Sequence, residues 1–251
     1  MSARPALAAL ALLAAILGSR PAQAEPLVAD LSQHLVGITT GFSGTDLLLF
    51  GATDGPGDII VVVRGESQQV ILRRKERTAG IWLNRQRLVV SGVPGFYAVA
   101  SNRPLEEIAT PLVLALHQVG SGRLDFHIEE GDDALTAQGR ADAFAAVTRI
   151  KTKQGLYQAR AGKLSLLGNQ LFRTDIHLPA NVPTGTYNVL VILLRDGQVA
   201  SIKSTPLRVD KIGVGAAVFD FAYHHAALYG IIAVVLALLA GWGAEAAFRR
   251  S

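Results

Sequence analysis

Residues 187–198 read YNVLVILLRDGQ. Side chains along a strand alternate between its two faces, and here both sets are apolar apart from Asn188. A strand with no polar face must be covered on both sides, which predicts a central buried strand over 187–194. The next four residues, Arg195-Asp196-Gly197-Gln198, place Asp-Gly where a two-residue hairpin turn needs positive φ at both central positions. The chain therefore reverses at once, and 200–209 pairs back. Upstream, Pro183-Thr184-Gly185-Thr186 is a turn, and 172–178 alternates apolar and polar residues as a half-exposed strand does.

The same grammar fills 27–103. The runs LVGITT, DLLLFGA, DIIVVVRG, QVILRRK, GIWLNRQRLVV and FYAVAS are short, rich in branched aliphatics and separated by glycine turns, the pattern of an immunoglobulin-like sandwich. Asp54, Gly55 and Gly57 punctuate the link between the second and third runs. Gly44 and Gly51 read as backbone angles closed to other residues, or as bulges, and Trp82 as core packing. From 105 to 155 the period changes. Pro104 precedes Glu106 and Glu107 in a first turn, and Thr110-Pro111 is a cap followed by proline at the first helical position, opening a helix through His117. Gly120-Ser121-Gly122 ends it. A further helix is expected over 134–152, with Phe144, Val147, Thr148 and Ile150 along one side. The expected fold is mainly β: a sandwich-like unit at 25–103, a helical segment at 104–156 and a second β unit at 157–211. One sandwich with a helical insertion is the alternative.

Residues 226–244, AALYGIIAVVLALLAGWGA, carry no charge. As a helix they cover roughly 28 Å, about the hydrocarbon thickness of a bilayer, and in lipid the backbone must satisfy its own hydrogen bonds, as a helix does. Tyr223 and Tyr229 before the apolar centre, and Trp242 and Phe248 after it, match interfacial aromatic belts. No GxxxG spacing marks a helix-pairing face, so the segment reads as a plain anchor. Arg249 and Arg250 follow it, and the last basic residue before it is Lys211, so the positive-inside rule leaves 245–251 in the cytoplasm. Residues 212–225 form a juxtamembrane lead-in, with Gly213 and Gly215 as a hinge. At the other end, 1–24 reads as a signal peptide: Arg4, an apolar run over 6–17, breakers at Gly18, Ser19 and Pro21, then Ala22-Gln23-Ala24 as the cleavage site. The body is then expected in the periplasm, anchored in the inner membrane by one span.

Cysteine is absent, which excludes disulfides and thiol chemistry. The net charge of +4 comes largely from the ends. Four of the 24 basic residues (Arg4, Arg20, Arg249, Arg250) and one of the 20 acidic residues (Glu245) lie outside 25–225, leaving 20 and 19 within it. So balanced a body offers nucleic acid nothing.

Motifs that carry chemistry are thin. Gly41-Phe42-Ser43-Gly44 resembles a nucleophile elbow, but Thr45 stands where the second glycine belongs and the context is strand to strand, so a structural turn is the better reading. The glycines of 51–57 precede neither a Lys-Ser/Thr pair nor a helix, as a phosphate cradle requires. His127, Glu129, Glu130, Asp132 and Asp133 form an acidic run, but the position twelve from Asp125 is Thr136, where a calcium loop needs a bidentate acid; a solvated loop fits better. Asp220 and His224 share a helix side and read as an interfacial pair. No catalytic, cofactor-binding or metal site is assigned. The densest basic cluster is Arg73, Arg74, Lys75 and Arg77, with Arg85 and Arg87 nearby and Glu76 as its one acid. On a strand Arg73, Lys75 and Arg77 share a face. The cluster reads either as a contact patch for an acidic partner or anionic headgroups, or as a charged edge that blocks sheet-to-sheet aggregation.

The phrases GITTGFSGTDLLLFGATD, VVVRGE, RRKERTAGIWLN, VPGFYAVASNRPL and ALYGIIAVVLALLAGWGA resemble a family of transmembrane proteins of alphaproteobacteria. The resemblance covers almost all of the chain after residue 24. It implies a leader, a periplasmic β-rich body and one C-terminal span, and carries over no catalytic residues. The leading expectation is a non-enzymatic accessory or partner of an inner-membrane complex, for which a transporter is one candidate. The alternatives are a periplasmic enzyme whose site is assembled from distant loops, and an envelope ligand-binding module, which would need an exposed aromatic platform.

Overall fold

The computed structural model describes residues 25–78, 81–129, 136–213, 218 and 221–248; of 74–78, 81–86 and 246–248 it describes the backbone alone. The expected leader over 1–24 lies outside these residues. Among the described residues thirteen strands run in chain order: β1 (Leu27–Leu31), β2 (Leu35–Ile38), β3 (Gly44–Thr53), β4 (Asp58–Arg64), β5 (Ser67–Thr78), β6 (Ile81–Pro94), β7 (Tyr97–Ser101), β8 (His127–Glu129), β9 (Gly162–Lys163), β10 (Ser165–Leu167), β11 (Leu171–Pro179), β12 (Gly185–Arg195) and β13 (Gln198–Lys211). Among the described residues the α-helices used below are α1 (Leu105–Ile108), α2 (Pro111–Leu116), α3 (Ala137–Lys153) and α4 (Ala226–Phe248). The protein is mainly β, in several sheets, with one C-terminal apolar helix.

The 187–198 stretch folds as its residues dictate. β12 lies inside a six-stranded sheet of order β2-β13-β12-β4-β7-β9, paired antiparallel to β13 and to β4. Val191, Ile192, Leu193 and Leu194 are all buried, two on each face. Asp196 (φ 53°) and Gly197 (φ 74°) take the left-handed angles of the tight turn into β13. β4 carries five consecutive buried residues, Ile59 to Val63, and β7 is buried throughout.

Both faces of this sheet need cover, and two separate layers supply it. Val61 and Val63 of β4 and Ala98 and Ala100 of β7 meet Ile176 of β11. β11 belongs to a second sheet, of order β1-β3-β11-β10. The opposite face, bearing Arg64 and Tyr97, bonds to His117, Gln118 and Gly120 after α2. The body is thus sheet on sheet, with the helical segment on the far face.

Strands of the two expected β regions, 25–103 and 157–211, pair with one another. β11 pairs with β3 and β12 pairs with β4, so each of the two large sheets takes strands from both regions. The apolar faces of 27–64 have no sufficient cover among their own neighbours, and strands more than a hundred residues later provide it.

The third sheet, β5-β6-β8, grows out of the six-stranded sheet. The β4–β7 ladder continues through Gly65 N–H to Phe96 O and Gly95 N–H to Glu66 O, both 2.8 Å, and then into β5 and β6. A Cβ on Gly65 would lie 2.9 Å from the Phe96 nitrogen, so glycine permits the close crossing where the hairpin leaves the body. Two bulges bend the arm, between Gln68 and Val70 and between Arg74 and Lys75; the first falls opposite Gly92, at φ 74°, and bulges of this kind add local twist.

α2 and α3 each begin at a threonine cap. Thr110 accepts from Val113 N–H at 3.4 Å ahead of Pro111, and Thr136 accepts from Gly139 N–H at 3.1 Å. α3 buries Ala143, Val147 and Lys151, spaced four apart, and packs Phe144 edge-on against Phe126 with centroids 5.4 Å apart. Ile150, expected on the covered side, is exposed, because it falls beside that stripe and not within it. The side chain of Trp82, read as core, lies outside the described residues.

Of the two glycines read as special, Gly44 has φ 108°. Gly51 takes no positive φ, and its pairing with Ala29 and Phe172 runs without a bulge. Its role is close approach: a Cβ there would meet Val28 O at 2.3 Å and the Phe172 ring at 2.4 Å. Backbone on one side and a buried ring on the other leave no room, so Gly51→Ala is expected to cost about 1–3 kcal/mol, measured by urea unfolding followed by circular dichroism.

Candidate functional site

Two places gather polar or exposed apolar groups in a way the core alone does not require. The first is where α2 ends over the sheet. Arg64 closes the otherwise apolar run of β4, directly opposite Tyr97 of β7. Its Nη2 donates to His117 O, while its Nε is buried without a hydrogen-bond partner. Burial lowers the pKa of the guanidinium, and neighbouring Tyr97 opposes that shift. The Tyr97 hydroxyl donates to Gln118 O and accepts from Gly120 N–H, both at 2.7 Å. Gln118 (φ 49°) and Gly120 (φ 102°) are the left-handed residues that turn the chain there, so the phenol satisfies backbone groups which that turn leaves unpaired. Tyr157 packs at a tilt against Tyr97, centroids 5.7 Å apart, and donates to Pro94 O at 2.9 Å. The cluster is a structural clasp holding the helical layer to the sheet.

The second place is a groove of about 430 Å³ between α3 and the arm. It is lined by Ile71, Leu72 and Arg73 of β5, Leu88 of β6, and Asp142, Arg149 and Ile150 of α3 among others. Ile71 is 49% and Ile150 40% exposed, so two branched aliphatics stand open to solvent across from each other. The volume falls in the range of ligand and peptide sites. At the far end of α3, Lys151 is buried, and desolvation lowers its pKa; it contributes to the covered side of the helix.

The residues singled out from sequence distribute as follows. Arg73 is exposed on β5, opposite Arg87, also exposed. Arg74, Lys75 and Arg77 continue along β5 and Arg85 lies on β6, with side chains outside the described residues. β6 carries one more residue than β5 between Arg74 and Lys75. The Gly41–Gly44 stretch links β2 to β3, strand to strand. His127 and Glu129 are exposed on β8, and Glu129 accepts from Gln69 at 2.9 Å; Glu130, Asp132 and Asp133 lie outside the described residues. His224 stacks beside Tyr223, while Asp220 lies outside the described residues. Among the described residues no three His, Asp or Glu side chains gather as a metal site would require.

α4 has a different character. Residues Ala226–Glu245 have a mean hydropathy of 2.1 and none of their surface is buried against the body. A family model described as "Putative transmembrane protein (Alph_Pro_TM)" matches residues 26–250. The chain belongs to this family. The match takes in the whole β body and the apolar helix together, so both are parts of one recurring architecture. No curated protein and no solved structure matches the chain.

Sequence reasoning missed the clasp and the groove. Arg64, a lone charge ending a run of five buried residues, was the available signal for the first. The groove left none, because its walls are some seventy residues apart.

Removing the Tyr97 hydroxyl leaves Gly120 N–H and Gln118 O unpaired, so Tyr97→Phe is expected to lower stability by about 1–2 kcal/mol in urea unfolding. Burial pushes the Tyr97 phenol up to about 12 from its ordinary 10.0, and raises Tyr157 and Tyr187 as well. A phenol whose pKa is higher folded than unfolded contributes fully below the unfolded value, and that contribution disappears as pH rises through the folded value. The urea midpoint is therefore expected to fall steadily from about pH 10 upward, with buried phenolate absorbance rising only as the chain unfolds.

Proposed function

We propose that this protein is a membrane-tethered β module of the periplasm that serves an inner-membrane complex as a non-enzymatic accessory or contact partner. The observation that carries the reading is α4: an apolar helix of membrane length, wholly unburied, joined to a body that has its own closed core. A helix apolar all round needs lipid or protein around it. The body meets it through Gly213, at φ 105°, just beyond Ile212, whose N–H still bonds to Ile38 O at 2.9 Å. A glycine in this conformation just after the last paired residue supports a hinge between body and tether. The orientation follows from Arg249 and Arg250 beyond the span and from the leader-like 1–24. The contact surface of this reading is the basic arm, with Arg73, Arg74, Lys75 and Arg77.

Phosphatase fused after Lys211 is expected to be active and phosphatase fused after Ser251 inactive; the reverse would overturn the orientation. Full-length protein drawn from detergent-solubilised membranes is expected to bring one integral membrane protein with it in fixed proportion. Recovery of the chain alone from gently solubilised membranes would overturn the accessory role.

A further inference from the structure

β5 is an edge strand twelve residues long. It has β6 on one side and, among the described residues, no strand on the other. An open edge presents a row of unpaired N–H and C=O groups that can accept another strand. Here that edge borders the groove. The lining takes Ile71, Leu72 and Arg73 in succession. The lining also takes Leu88 of β6, which pairs with Leu72, so the cavity lies over the hairpin face that carries these two and also touches Ile71 and Arg73 of the edge strand. α3 forms the opposite wall with Arg149 and Ile150. A groove between an open strand edge and a helix fits an extended peptide, which pairs its backbone with the strand and sets alternate side chains against the helix.

Charge and polarity select among occupants. The groove offers exposed Ile71 and Ile150 with Arg73 and Arg149 beside them. Its one lining acid, Asp142, already accepts from Gln138 at 3.0 Å. Further along the same strand come Arg74, Lys75, Glu76 and Arg77. A second copy of β5 would set like charges opposite one another, which is unfavourable. A lipid headgroup would meet the arginines but has no use for a row of backbone donors and acceptors. We propose that the groove between β5 and α3 binds an extended acidic–apolar segment of a partner protein by strand addition, with its acids against Arg73 and Arg149 and its apolar side chains against Ile71 and Ile150. This rests on the accessory role above and names the kind of segment the partner presents.

The test uses the full chain in non-ionic detergent and three labelled eight-residue peptides. One alternates glutamate and valine, the second is the same peptide N-methylated at every other residue, and the third alternates lysine and valine. The first is expected to bind, and the other two at least about tenfold more weakly, one lacking backbone donors and the other the charge. Arg73→Glu combined with Arg149→Glu is expected to weaken the first peptide at least about tenfold, chiefly in its salt-sensitive part, without lowering the melting temperature. If that variant misfolds, the N-methylated peptide on the unaltered protein decides. Equal binding of the N-methylated or lysine peptide would overturn the proposal. So would capture of short-chain phosphatidylglycerol but no peptide, self-association through the arm in place of peptide binding, or no binding at all. Peptide binding is read without any membrane partner, so its failure leaves the co-purification result standing, and the converse holds as well.

Discussion

The strand β4 has no side it can show to water. Its residues Ile59, Ile60, Val61, Val62 and Val63 are each at most 1% exposed, and burying side chains of this kind is worth about 1.5–3 kcal/mol apiece. A β-strand covered on both faces and paired on both edges requires a neighbour in every direction. β7 and β12 take the edges, the second sheet takes one face, and the turn after α2 takes the other. The rest of the body is arranged around satisfying that one segment. Arg64 marks where the apolar requirement stops, and the clasp of Arg64, Tyr97 and Tyr157 ties the helical cover to it through hydrogen bonds where apolar contact ends.

The arm is the complement of this closure. Past Gly65 and Gly95 the same two chains that form the heart of the body continue outward as β5 and β6, so the arm is rooted in the best-buried ladder of the protein. Sheet pairing stiffens it and bulges bend it. α3, fastened by Phe126 against Phe144 and by the Val147 stripe, runs beside it without closing the gap. A groove results, lined by Arg73 and Arg149 and by partly exposed Ile71 and Ile150. Arg73 and Arg87, opposite each other on the arm, are both exposed, and water makes such a like-charged pair tolerable where the core could not.

The tether obeys another solvent. α4 has no polar face to set toward water, unlike a helix that lies on a surface. Its glycines meet nothing within 4 Å in the body, so the helix is not packed on the β layers. Body and anchor are two solutions to burial, one internal and one supplied by the bilayer, with Gly213 as the link.

What the sequence determined was local. The apolar double face of 187–194, the Asp-Gly turn, the Thr110-Pro111 start and the uncharged 226–244 each announce themselves within a few residues, because side-chain alternation, φ preference, capping and solvent choice act over that range. The tertiary structure decided which strands become neighbours. Nothing in 44–53 names 171–179 as its partner, since a backbone ladder accepts any strand of suitable length and polarity, and only the need to cover two apolar faces at once selects the pairing. Gly51 follows from that choice, being small because Val28 and Phe172 close on it from different parts of the chain. The groove follows too: Ile71 and Ile150 are ordinary aliphatics in sequence, and only the placing of α3 beside the arm brings them to one groove, partly exposed.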